Sequence, residues 1–127
     1  QYFSGDDIVT ADLEALNFST AGILDVDDVD GIDAKTLISS SSGAGPLDAV
    51  QFQFLNDPAE LQQGFQPTGE NYSVAVRLSG KSLSSFPEMS GEETHIAETD
   101  QLNVVIVADT DVLSDRLWVQ VQNFFGQ

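Results

Sequence analysis

LNVVIVADTDVLSDRLWVQVQNFF, running from Leu102 to Phe125, is the stretch whose reading decides the fold. Val104 to Ala108 is a continuous apolar run without polar alternation, the pattern of a strand whose two faces are both covered. It reads as the central strand of a sheet. Asp109, Thr110 and Asp111 then supply loop and helix-start chemistry, and the hydrophobic period changes from that of a strand to that of a helix. At about 100° per residue, Leu113, Leu117, Trp118, Val121, Phe124 and Phe125 share an arc of roughly 140°. Asp115, Arg116, Gln122 and Asn123 fall outside it. The expectation is a helix laid on the sheet by its apolar face.

Working outward, Tyr72 to Leu78 alternates cleanly as a strand, closed by Gly80 and Lys81. Asp48 to Leu55 also reads as a half-buried strand, because Val50, Phe52 and Phe54 alternate with Gln51 and Gln53. Leu16 to Ile23 and Ala34 to Ser41 are two further strand candidates. Asp57, Pro58 and Glu60 form a helix-start signature, with Leu61 as anchor and Gly64 as the end. Thr10 and Glu14 allow a short helix with Leu13 and Leu16 on one face. The remaining segments read as loops: a frayed leader at 1–7, the acidic run DVDDVDGID at 25–33, the breakers from Ser42 to Pro46, and an acidic excursion at 88–101. Strands interspersed with short helices indicate an α/β (or α+β) domain with a mixed β-sheet and flanking helices.

The chain has 127 residues, enough for one domain with its own core. It has 21 Asp and Glu against 4 Lys and Arg, a formal net charge of -17. Such a surface repels phosphate backbones and anionic headgroups, so nucleic acid is not an expected partner. It suits a salt-rich environment, where self-repulsion is screened. Without cysteine there is neither a disulfide framework nor a thiolate metal site. No apolar stretch reaches the ~18 residues of a membrane span. Because the chain starts at Gln1 without Met, it is expected to be a piece of a longer protein.

Candidate chemistry is sparse. Asp109 and Asp111 leave an apolar strand as D-T-D, the arrangement by which dehalogenase-type phosphatases gather two carboxylates around Mg²⁺. That makes a metal-dependent phosphohydrolase the alternative reading. In that family, however, further Lys and Asp motifs lie downstream, and here only 16 residues follow Asp111. The plainer role for both acids is to turn the chain and cap the helix. Asp28, Asp30 and Gly31 resemble part of an EF-hand loop, but aligning Gly31 puts Val26 and Leu37 where oxygen ligands are required. His95 among Glu92, Glu93 and Glu98 has no second histidine to complete a metal set. Ser39 to Ser42 lack a nucleophile-elbow context. Trp118, Phe124 and Phe125 lie on the apolar arc and are expected in the core. A carbohydrate- or envelope-binding module would need exposed aromatics, for which Tyr2, Tyr72 and Trp118 are the candidates.

The run VVIVADTDVLSDRLWVQVQNFFGQ resembles the carboxy-terminal motif of the periplasmic domain in ABC-type transport auxiliary proteins of the gliding-motility (GldG-like) family. LEALNFSTAGIL, TLISSSSGAG and FQFLNDPAELQQGFQPTGENYSVAVRLSGKSLSSFP support it in order, so the resemblance spans roughly residues 8 to 127. It implies a periplasmic segment of a membrane-anchored parent, accompanying an ABC permease and ATPase. It also implies a fold similar to part of a class I glutamine amidotransferase-like domain. The amidotransferase nucleophile is a cysteine, which this chain lacks, and the family offers no catalytic residues to carry over. The expectation is a non-enzymatic auxiliary domain, 1–127, without cofactors.

Overall fold

A computed structural model describes residues 2–53 and 57–119. Three strands, Ile32–Ser39 (β1), Ser73–Leu83 (β2) and Glu98–Val107 (β3), form a sheet in the order β1-β2-β3 with both pairings antiparallel. Two short helices, Ala49–Gln53 (α1) and Asp115–Trp118 (α2), stand beside it, with 3-10 turns at Pro58–Gln62, Pro87–Met89 and Asp111–Leu113. This is the α/β class expected, a sheet with flanking helices, but among the described residues the sheet is antiparallel throughout and not mixed, its β2–β3 link holding a 3-10 turn rather than the helix of a parallel crossover.

The central strand is β2. Ala75 and Val76 are neighbours and so point to opposite faces, yet they are only 1% and 2% exposed. On one face Ala75 packs with Leu37 and Ile38 beneath Phe3, Leu16 and Phe18. On the other, Leu24, Asp25 and Val26 lie beside Ala34, Thr36 and Val76. Irregular chain, rather than a long helix, covers each face of this strand.

The amino-terminal segment is docked, against the expectation of a frayed leader. Phe3 bridges to Ile38, Ser4 donates its N–H to the Leu37 carbonyl (2.8 Å), and Ser39 donates to that of Tyr2 (3.0 Å). The outer edge of β1 is thereby covered from Leu37 to Ser39. Arg77 grips Asp7 through Nε and Nη2, both at 2.8 Å. Buried Thr10 donates its hydroxyl to the Ser4 carbonyl (2.7 Å).

Several expectations are overturned. The apolar run Val104–Val107 belongs to an edge strand, and β3 begins at Glu98, inside the stretch expected to be loop. β2 does not stop at Gly80 but continues to Leu83 through a bulge. Gly80 has φ 127°, and a Cβ there would sit 2.1 Å from the Gly31 carbonyl oxygen, so only glycine fits. LNFSTAGI forms no strand; its backbone groups bond singly, as Gly22 N–H does to the Ala108 carbonyl. DAVQFQFL opens as helix α1, since Asp48 accepts the Val50 N–H (2.9 Å) and starts a turn that its alternating side chains do not override. Phe54, Leu55 and Asn56 lie outside the described residues.

The carboxy-terminal helix α2 ends at Trp118, and Val119 is extended. The expected apolar arc does not lie on the sheet: Leu113, in the 3-10 turn before α2, is 86% exposed and Trp118 47%. Val121, Phe124 and Phe125 are outside the described residues. The signature at Asp57 holds, with its carboxylate accepting the Ala59 N–H (2.9 Å).

Two outcomes test this account. The Arg77 guanidinium lowers the Asp7 pKa from 3.8 to about 2, so the pair stabilises the fold fully above 3.8 and loses that contribution as pH falls toward 2. Asp7→Asn should lower the neutral-pH melting temperature and flatten the acid limb of the stability profile, read by thermal melts across pH. Gly80→Ala should cost about 3 kcal/mol in a denaturant titration, from the positive φ and the carbonyl clash.

Candidate functional site

The end of β3 is tied to the loop that precedes β1. Ala108 donates its N–H to the Val74 carbonyl (2.9 Å) and accepts that of Gly22 (2.6 Å). Next in the chain, Asp109 is 6% exposed; its Oδ1 accepts the Asp111 N–H (2.7 Å) and its Oδ2 the Ser19 N–H (2.9 Å). Asp111 accepts from the Thr20 hydroxyl (3.2 Å) and pairs with the Arg116 guanidinium (2.7 Å). Arg116 also donates to Ser19 Oγ (3.2 Å), and Asn17 Nδ2 to the Leu117 carbonyl (2.9 Å). The D-T-D acids are therefore braces between chain segments about ninety residues apart, and α2 has Ser114 rather than an aspartate at its cap position. Each Asp109 oxygen holds a backbone donor that would otherwise be unpaired.

The other sequence candidates scatter. Asp28 and Asp30 lie on an exposed loop, and Gly31 takes φ 83° to enter β1. His95 is half-buried with Nε2 shielded and without a hydrogen-bond partner among the described residues. Among the described residues no three His, Asp or Glu side chains gather as a metal-ligand set. Ser40 Oγ accepts the Tyr72 N–H (2.9 Å), which ties the chain leaving β1 to the chain entering β2. Trp118 is not in the core; its indole N–H donates to the Val112 carbonyl. Tyr2 is exposed, and the half-buried Tyr72 shares a hydrogen bond with the Thr68 hydroxyl (2.7 Å).

Two features were missed from the sequence. One is a cleft of about 670 Å³ beside the braced junction, lined by residues 19–23, Ser40, residues 44–47, Ala49, Tyr72 and Val74. No charged residue lines it, although 20% of the chain is charged, so it suits an uncharged ligand. Its signal was the small-residue run Gly43 to Pro46, which reads only as breakers. The other is the free flank of β3. Among the named elements β3 packs only on β2, and Val104, Val105, Ile106 and Val107 are 41%, 38%, 38% and 37% exposed.

Fold and site together define a small α/β domain with a braced strand end and an open apolar edge. The chain belongs to the family described as "ABC-type uncharacterized transport system", whose model matches residues 1–127. It is thus an auxiliary component of such a system. No curated protein and no solved structure matches it. Among the described residues no helix is long and apolar enough to cross a membrane.

If Asp109 is a brace, Asp109→Ala strands the Ser19 and Asp111 N–H groups and should cost about 1–3 kcal/mol. The loss should be equal with and without added Mg²⁺, and hydrogen exchange at Ser19 and Asp111 should accelerate.

Proposed function

We propose that this chain is a non-enzymatic, extracytoplasmic domain of a membrane-anchored auxiliary protein of the gliding-motility type. It works by protein or ligand contacts, the parent protein accompanying the permease and ATPase of its transport system. The observation that carries this is the family match along the whole chain, 1–127. Two structural features support it. Both Asp109 oxygens accept backbone N–H groups, and Asp111 Oδ2 accepts from a hydroxyl and a guanidinium of the chain itself. The outer strand β3 presents four exposed apolar residues in a row, which suits contact with another polypeptide.

This chain contributes no cysteine, so a single introduced one reads its topology once any cysteines elsewhere in the parent protein are replaced by serine. With Ser90→Cys placed on an exposed loop of the full-length protein, a membrane-impermeant maleimide should label it in intact cells. Labelling only after lysis would place the domain inside and overturn the extracytoplasmic reading. Affinity purification from native membranes should recover the permease and ATPase in stoichiometric yield.

A further inference from the structure

The two edges of the sheet are treated differently. Tyr2 to Ser4 cover the outer edge of β1 from Leu37 to Ser39, whereas β3 is the other outermost strand and meets only β2 among the named elements. Edge strands ordinarily carry lysine, proline or a bulge that deters further pairing. The Val104–Val107 segment has none of these: it is β-branched throughout, apolar on both faces, and in unbroken register with Arg77, Leu78, Val76 and Ala75. Ala108 N–H points at Val74, and backbone groups alternate in direction along a strand. The N–H and C=O groups of Ile106 and Val104 therefore face β2. Those of Val107, Val105 and Asn103 face outward.

Charge decides what can pair there. Lys35, Arg77, Lys81 and Arg116 each have an acid of the same chain within 4.0 Å, so the four cations are already matched while most of the 21 acids are not. β3 itself has Glu98 and Asp100 at one end and Asp109 and Asp111 just past the other. Those acids already have partners in Lys81, Arg116 and backbone N–H groups, but an antiparallel pair of two β3 strands would still bring together two chains of charge -17 each. A second copy is disfavoured on that ground. We infer that β3 is a β-augmentation site for a partner protein, which adds a fourth strand of apolar, β-branched residues flanked by lysine or arginine.

This rests on the reading of the domain as one that works through protein contacts, and names the surface and the partner's chemistry. The first probe is the peptide Lys-Val-Thr-Ile-Thr-Val-Lys, added to the full-length protein. It should slow hydrogen exchange at the Asn103, Val105 and Val107 amides, while the same peptide with aspartate at both ends does not. Val105→Pro removes one outward donor and leaves the β2 ladder intact, so affinity should fall about tenfold, the equivalent of one lost backbone hydrogen bond. Val105→Lys guards the edge by charge and should also abolish binding; its unchanged melting temperature keeps the test valid if the proline variant does not fold. Equal binding of both peptides, or protection elsewhere, overturns the inference.

Its second arm is a photo-reactive residue at Val107 in native membranes. The adduct should map to a Lys- or Arg-flanked extended segment of a different chain. An adduct with a second copy or with another stretch of the same polypeptide overturns the inference. If Val107 yields no transport subunit while other surface positions do, the inference falls and the proposed function stands.

Discussion

Everything in this domain depends on β2 being covered on both faces at once. Ala75 and Val76 are adjacent and both buried, which requires chain on each side of a single sheet. The amino-terminal segment supplies one cover and residues 24–26 border the other face. Because neither cover is a regular element with its own internal hydrogen bonds, each must be held by specific contacts. The Asp7–Arg77 pair and the Ser4–Leu37 hydrogen bond do this on one side. On the other, Leu24 donates to the Ser73 carbonyl at 2.8 Å. A charged pair half-shielded from water suits this role, since its two-point geometry orients a segment that apolar contact alone would let slide.

The same economy explains the junction after β3. A strand end without a long helix behind it leaves backbone donors to be satisfied, and Asp109 accepts two of them. Asp111 and Arg116 then connect that turn to Ser19 and Thr20. Acid residues that in other proteins could hold a metal are here part of the backbone accounting. The neutral cleft lies directly beside this brace, sharing Ser19 and Thr20 with it, so anything bound in the cleft would touch the segment the brace holds.

Much of the local structure was legible because its cause is local. The Asp57-Pro58 turn, the alternation of Tyr72 to Leu78, the strand at Val104 to Val107 and the acidic loop before β1 follow from capping, period and charge within a few residues. Where a local cue competed with another local cue, the reading failed: at Asp48 to Gln53 a capping aspartate prevailed over alternation. The Gly80 bulge was misread as a strand end because glycine is also a breaker. Its real reason is the Gly31 carbonyl pressed against it from β1.

By itself the sequence determined the heart of each strand, that the chain is overwhelmingly acidic, and that these residues offer no cysteine chemistry. Only the tertiary structure decided which strand is central, because coverage is a property of what lies opposite a side chain and not of the side chain. Val104 to Val107 have the composition of an enclosed strand, yet they occupy an edge; Ala75, a small residue on the polar-reading face of β2, is enclosed. The partners of Asp109 and Asp111, about ninety residues away, were equally invisible: hydrogen bonds between distant segments obey spatial register, which no spacing along the chain encodes.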